Sequence, residues 1–348
     1  MKYKFIQLSY LNGWFIASVL WYLIRNSVIP IAQSYSWNIL VFFMITWLSQ
    51  GLLYGTLFFI INKYLGKRIL YYRLLLLSVI TQLSVAFLIT SLIYPMLQYF
   101  KLPLIQQPST YINFITMPVI LFGTIYAFFV NGLISMVISI NLMIGKSTLA
   151  SIMTGKYYYP IVEKRIFMFI DLKSSTSLAE KLGHKMFSQL IQDCFYELSV
   201  FNQFSGDIHK YVGDEAIISW KVNYPTSYSI ASFFAYKAKL QQKEQYFNKE
   251  YEVIPEFKAG IHWGEITVME IGNTKREIAF LGDTMNTTAR IQNVCNEYDA
   301  ELLISEDVFK RLNSNGEWDI EKICQVHLKG KENDLEIYSV HQRELSVT

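Results

Sequence analysis

The sequence predicts two parts of different fold class: an N-terminal all-α four-helix transmembrane bundle, then an α+β domain of ferredoxin-like β-α-β-β-α-β order. Three observations lead there. Residues 1–146 carry very few charges, and nearly all Asp and Glu lie after residue 160. Four apolar stretches fill the charge-poor part, at about 8–24, 37–61, 74–94 and 113–145. Each is near or above the roughly 20 residues a helix needs to cross hydrocarbon. After residue 160, short apolar runs alternate with helical periodicity and turn signals. The expected organisation is therefore a membrane part at 1–146, a linker at 147–163 and a water-soluble domain at 164–342.

With 52% hydrophobic and 17% charged residues among 348, the chain is more apolar than a soluble average. The net charge of +3 is small and its basic residues are unclustered, which speaks against a nucleic-acid partner. Cys194, Cys295 and Cys324 form no CxxC pair, so neither a zinc site nor a disulfide framework is expected, and a reducing compartment suits them.

The first apolar stretch is not a cleaved signal peptide, because no small-residue cleavage site follows and three more stretches do. Lys2 and Lys4 in the N-terminal tail, Lys63, Lys67, Arg68 and Arg73 between spans two and three, and Lys146 and Lys156 after span four all fall on one side of the spans. The other two loops hold little beyond Arg25 and Lys101, so the positive-inside rule puts both termini and the soluble domain in the cytoplasm of a multi-pass inner-membrane protein. Trp14, Tyr22, Trp37, Tyr94 and Tyr111 suit membrane interfaces. The interiors of the last three spans contain no Asp, Glu, Lys, Arg or His, which argues against a pump or transporter. Asn131, Thr81 and Gln82 offer interhelical hydrogen bonds. The plainer reading is an anchor and dimerisation module in the lipid bilayer; a sensor of an apolar signal is the alternative.

Gly155 and Pro160 interrupt the linker. RIFMFIDL, 165–172, reads as a buried strand ending in Asp171, and the helix after it continues through 201, with Ser177 and Glu180 spaced as a capping box and Gly183 as an interruption. Met186, Leu190, Cys194, Leu198 and Phe201 fall on one face of that helix. Residues 207–220 read as a hairpin, 226–248 as helix, 257–272 as two strands around Gly264, REIAFLG as a strand end, DTMNTTARIQNVCNEYD as helix and ELLIS as strand. Two closing strands follow. The expected sheet is antiparallel with its helices on one face.

Asp171 ends a buried strand, where a carboxylate without a partner is costly. Lys173–Ser177 open the next helix, a natural phosphate seat. Asp214 sits at the hairpin tip, which in this topology can lie beside the end of the first strand. Two carboxylates next to a phosphate seat point to Mg²⁺. The structural alternative makes Asp171 a helix cap and Gly213-Asp214 a type II′ turn.

FIDLKSST, KYVGDEAI, FKAGIHWGEI, FLGDTMNTTARI and LKGKENDLEIYSV, in this order and spacing, resemble the class III nucleotidyl cyclases over about 163–341. The resemblance implies that Asp171 and Asp214 bind two Mg²⁺ or Mn²⁺, and that the main chain from Leu172 through Lys173, Ser174 and Ser175 to Thr176 holds the β- and γ-phosphates of ATP. It implies that Asn286 orients the ribose, that Arg290 neutralises charge on the transferring phosphorus, and that Lys210 reads adenine. Lys329, with Lys331, would help to hold the terminal phosphates. In this family the metal aspartates come from one subunit and the lysine and Asn/Arg helix from the other, so a homodimer with two composite active sites is implied. The implied reaction is attack of the ribose 3′-hydroxyl on the α-phosphorus with loss of pyrophosphate. His209 would point away from the side of Lys210 by strand alternation, and is read as structural.

One position departs from the family pattern. Ala279, three before Gly282, stands where Asp or Thr commonly contacts the adenine amino group. A guanylate or pyrimidine-nucleotide cyclase is therefore an alternative, as is a silent nucleotide-binding membrane receptor. A diguanylate cyclase is disfavoured, because the turn is Val-Gly-Asp-Glu-Ala and that family lacks an NTTAR helix.

Overall fold

The computed structural model describes residues 2–28, 48, 51–60, scattered positions between 79 and 99, 110–115, 118–144, 146–274, 276–312, 318–326 and 334–343. The chain divides into two compact units, Met1–Met143 and Ile144–Thr348.

In the first unit the described helices are α1 (Lys2–Val28), α2 (Gly51–Ile60), α3 (Tyr111–Ile115) and α4 (Pro118–Ile144). Ile6, Tyr10, Trp14, Tyr54, Ile134 and Ile138 pack into one apolar cluster that ties α1, α2 and α4 together. The Tyr10 hydroxyl and Ser135 Oγ share a hydrogen bond of 2.8 Å inside it. Trp14 is fully buried there and stacks on Tyr54 across the helix contact. Asn131 is buried on α4. Among the described residues one helix is long and apolar enough to cross a membrane, Leu121–Asn141 within α4. Its Phe122, Phe129 and Leu133 side chains are bare. The stretches at 37–61 and 74–94, with Thr81 and Gln82, lie largely outside the described residues. A four-helix bundle is thus more than the described residues establish.

The second unit opens with α5 (Lys146–Met153) and a turn at Gly155, whose φ is 64°. The strand β1 (Ile161–Leu172) starts right after Pro160 and is longer than its apolar run. Next come α6 (Ser175–Glu197), a 3₁₀ segment (Leu198–Phe204), β2 (Asp207–Val212) and β3 (Glu215–Lys221). Then follow α7 (Ser227–Gln241), α8 (Glu244–Tyr251), β4 (Phe257–Ile271), β5 (Glu277–Leu281) and α9 (Asp283–Val294). The last elements are β6 (Leu302–Ser305), α10 (Glu306–Phe309), β7 (Trp318–Val326) and β8 (Leu335–Gln342). The sheet order is β2-β3-β1-β4-β6-β8-β7, with β5 on β4. The first four strands give the ferredoxin-like order, and β4–β6 is a parallel pair in an otherwise antiparallel sheet.

Alternation along β1 separates two environments. Ile166, Met168, Ile170 and Leu172 face a core shared with α6, α7 and α8. Phe167 and Phe169 face the other side, where Ile266, Val268, Phe280, Met285 and Ala289 pack. The last two belong to α9, so the expectation of helices on one face is corrected: α9 covers the second face. Glycines allow this. A Cβ on Gly260 would lie 2.4 Å from the main-chain N of Gln292, and one on Gly264 would lie 2.4 Å from Thr284 Oγ1. Gly264 therefore does not split its segment into two strands; β4 runs unbroken and the missing side chain makes room for α9.

Three local expectations also change. The helix after β1 begins at Ser175, with Ser174 before it at φ 55°, so Ser177 lies inside the first turn and forms no capping box. The structure makes Asp171 a strand residue, not a helix cap. Gly183 does kink α6, with φ 72°, but the helix gives way to 3₁₀ geometry at Leu198. Leu190, Cys194, Leu198 and Phe201 are fully buried, as their spacing requires, while Met186 is exposed.

A polar network crosses the second face of β1. The Arg165 guanidinium is buried and donates to Glu163 Oε2 at 2.8 Å, to the Tyr157 hydroxyl at 3.2 Å and to Ser219 Oγ at 3.1 Å. Glu163 Oε1 accepts from Lys156 Nζ at 2.6 Å and from the Tyr157 hydroxyl at 3.0 Å. These bonds hold its carboxyl down at about 2 against the opposing effect of burial. Ser219 Oγ lies 2.6 Å from His209 Nε2. Burial and the Arg165 charge push that imidazole from the ordinary 6.5 down to about 3.

Gly260→Ala should push α9 off β4 and cost about 1–3 kcal/mol, the usual range for an overpacked core, read as a lowered unfolding midpoint. His209 gives a pH test. The unfolded imidazole binds a proton below its ordinary 6.5 while the folded one stays neutral to about 3, so stability is lost as pH falls through that window. His209→Gln should flatten unfolding midpoints between pH 7 and 5.5, removing at most about 1.4 kcal/mol per pH unit of slope.

Candidate active site

The structure brings Asp171 and Asp214 together. Asp171 is the penultimate residue of β1 and pairs with Glu215, the first residue of β3. Asp214 precedes Glu215 in the two-residue turn, where Gly213 has φ 62° and Asp214 does not share the positive φ, as a II′ hairpin requires. Burial, and next the Asp214 carboxylate, raise the Asp171 pKa, while Lys258 opposes them. Glu215 is raised to about 7 by burial and by the same two aspartates. A short edge of the sheet thus concentrates negative charge.

Two residues that sequence reasoning did not single out complete this corner. Lys258 pairs with Asp171 across β1 and β4, is buried, and places Nζ 3.4 Å from Asp171 Oδ2 and 2.8 Å from Asn296 Oδ1. Gln292, also buried, donates to Asp171 Oδ2 at 3.1 Å. Lys258 carried a signal that was open to reading: a lysine inside an otherwise apolar strand start, FKAGI, needs a buried anion.

The segment proposed for phosphate is only partly free to serve. Leu172 pairs with Phe257 in the sheet, and the Lys173 main-chain N–H donates to Glu256 O at 2.8 Å. The Lys173 ammonium is 3.9 Å from Glu256 and 3.8 Å from Asp299. Ser174, Ser175 and Thr176 remain, at the start of α6, where the first N–H groups of a helix have no intrahelical acceptor.

Asn286 is exposed on α9 and Arg290 is half-buried one turn on. At about 100° per residue they lie roughly 200–240° around the helix from Gln292, so the face that reaches Asp171 is not theirs. Lys210 is exposed on β2 and pairs with Ile217. Ala279 pairs with Met269 on β5. The structure therefore brings the two aspartates together without bringing Asn286 or Arg290 onto them. Lys329 and Lys331 lie outside the described residues.

Asp171 and Asp214 suit a hard divalent cation: two carboxylates held against each other gain most from a positive charge between them, and burial and the Asp214 charge already raise the proton affinity of Asp171. Among the described residues no group of three or more His, Cys, Asp or Glu side chains is placed to hold a metal ion. A pair completed by water and phosphate oxygens is the Mg²⁺ pattern rather than that of an all-protein cage.

Residues 158–342 match the family model described as the adenylate and guanylate cyclase catalytic domain. An adenylate cyclase 2 of Rhizobium meliloti is 32% identical over 225 residues, 64% of this chain and 62% of that one. An adenylate cyclase of Anabaena cylindrica is 26% identical over 184 residues, 50% of this chain and 36% of that one. The chain thus spans less than two thirds of the length of either relative. The solved structure of a bacterial light-regulated adenylyl cyclase has the same fold, with a TM-score of 0.52 and 18% identity over 62% of this chain and 65% of that one. By the length of the matched family model and the order of its motifs, this chain belongs to the class III adenylate and guanylate cyclases.

Proposed function

We propose that the chain is a membrane-bound adenylate cyclase that converts ATP to 3′,5′-cyclic AMP and pyrophosphate for intracellular signalling. The observation that carries this reading is the facing pair Asp171 and Asp214 at the mouth of a helix N-terminus, on a chain of the cyclase family. The adenylate cyclases of Rhizobium meliloti and Anabaena cylindrica support ATP as the substrate. Two Mg²⁺ or Mn²⁺ ions held by the two aspartates would lower the pKa of the ribose 3′-hydroxyl and offset charge on the phosphates.

The residues of the chain do the rest. The N–H groups at the start of α6 bind the terminal phosphates, with Lys329 as a further point charge. Arg290 sets a fixed cation against the phosphorus that gains charge, and Asn286 holds the ribose in line, four residues away on the same face of α9. Gln292 and Lys258 hold Asp171 Oδ2 in place between substrates. Lys210 donates to the base. Because α9 turns Asn286 and Arg290 away from the Asp171 side, a second copy of the chain must supply them. The assembly is a homodimer with two like sites, and association itself governs activity. The bare apolar flank of α4 supports lipid around the first unit, with the catalytic unit on the cytoplasmic side of the inner membrane and the four spans as anchor.

Membranes from expressing cells, given ATP, GTP, CTP or UTP with Mn²⁺, should form cyclic AMP in preference to the other products. Asp171→Ala and Asp214→Ala should each lower the rate by at least about 100-fold, the several kcal/mol expected of a lost metal ligand. No cyclic nucleotide from any substrate would overturn the reading; a preference for GTP would overturn only the base. Composite sites give a second test. Co-expressed Asp171→Ala and Arg290→Ala chains, each inactive alone, should recover about a quarter of wild-type activity, since half of randomly paired dimers keep one intact site. Absence of recovery would show that each chain acts alone.

A further inference from the structure

The ladder between β2 and β3 contains one residue too many. Ile208 pairs with Ile218, and the next pair is Lys210 with Ile217, so His209 is a β-bulge. The extra residue must sit somewhere between Ile208 and the Gly213-Asp214 turn, and its position decides where Lys210 points. Paired residues of an antiparallel ladder share a face. Opposite Ile217, Lys210 shares the face of Phe167, Phe169 and α9. Were the bulge at Tyr211 instead, Lys210 would pair with Ala216 and turn into the helix-covered core. The bulge thus corrects the expectation from strict alternation that His209 and Lys210 point to opposite sides: His209 also lies on this face, its ring 4.3 Å from that of Phe280 and 6.2 Å from that of Phe167.

His209 carries the anchor that fixes the bulge. Its Nε2 is 2.6 Å from Ser219 Oγ, and Ser219 takes an N–H from Arg165 at 3.1 Å, which leaves the serine proton available to a neutral imidazole. On the opposite face Tyr211 stacks on Phe195 at 5.0 Å, so the residues on both sides of Lys210 are pinned while Lys210 itself reaches solvent.

We propose that His209 is a positioning residue for Lys210: anchored through Ser219 to Arg165, it holds the β-bulge that aims Lys210 at the nucleotide base and so sets discrimination between purines. The proposal rests on the reading of Lys210 as the residue that meets the base, and its test separates the two.

Full-length wild type, His209→Ala, His209→Gln, Lys210→Ala and the double variant His209→Ala/Lys210→Ala would be compared. The readouts are kcat/KM for ATP and for GTP, and Kd for 3′-deoxy-ATP and 3′-deoxy-GTP, which bind but cannot cyclise. Both ratios are independent of the fraction of folded protein. Lys210→Ala should lower the ATP-to-GTP ratio by about tenfold, the worth of one hydrogen bond from a charged group. His209→Ala should lower it similarly, His209→Gln should restore most of it, and the double variant should fall no further than Lys210→Ala. If Lys210→Ala shifts the ratio and His209→Ala weakens both nucleotides by one common factor, the positioning role is overturned and His209 is structural only. If Lys210→Ala leaves the ratio unchanged, the base reading falls first and the positioning role with it.

Discussion

The architecture of the catalytic unit depends on one strand being buried on both faces. Its even residues, Ile166 to Leu172, are wholly apolar and hold three helices by burial alone. Its odd residues run Glu163, Arg165, Phe167, Phe169, Asp171, so charge enters at both ends and only the middle is apolar. A buried guanidinium is tolerable only with its donors used. Glu163, Tyr157 and Ser219 use them at one end. At the other end Asp171 has Lys258 and Gln292, yet remains burdened by Asp214. The two ends differ in kind: the Arg165 end is closed, whereas the Asp171 end keeps a surplus of negative charge that a ligand can relieve.

The closed end is where the linker joins. Tyr157 is buried, its hydroxyl takes part in the Glu163–Arg165 cluster, and its main-chain carbonyl accepts from Glu270 N at 2.7 Å. The segment that follows α5 is thereby fastened to both β1 and β4. Arg165 is then common to two chains of contact, one to the linker through Tyr157 and one to β2 through Ser219 and His209.

Elements and their order were legible in the sequence because apolar periodicity and Gly or Pro punctuation act locally. The hairpin around Gly213-Asp214 and the helix from Asp283 are examples. Relations between elements were not legible to the same degree. Gly264 carries the same signal whether it breaks a strand or admits a helix, and only the position of Thr284 decides. Ser177 and Glu180 have the spacing of a cap, but a left-handed Ser174 starts the helix sooner. The burial of Trp14 against Tyr54 is likewise a relation between helices that the sequence of α1 does not carry. At the site, carboxylates at strand ends and turns announced themselves, while Gln292 did not, since a helix glutamine is ordinarily solvated. Lys258 sat between these cases, and its apolar neighbours made it conspicuous.

The hairpin of β2 and β3 shows why proximity in sequence misleads about division of labour. Lys210 and Asp214 are four residues apart, and alternation along an unbroken strand would put Lys210 on the core face with Ile208. The bulge resets the count. Lys210 now shares the face of Ile217 and Glu215, whereas Tyr211 packs toward Phe195. One hairpin can then present an aspartate at its tip and a lysine along its flank as separate instruments, with α9 dividing in the same way between Gln292, which reaches Asp171, and Asn286 with Arg290, which do not. On the proposed reading, two elements that each split their polar residues between an inward and an outward role would form a half-site twice over. The outward set of one copy would then complete the inward set of another, and a two-fold axis would do this for both copies at once.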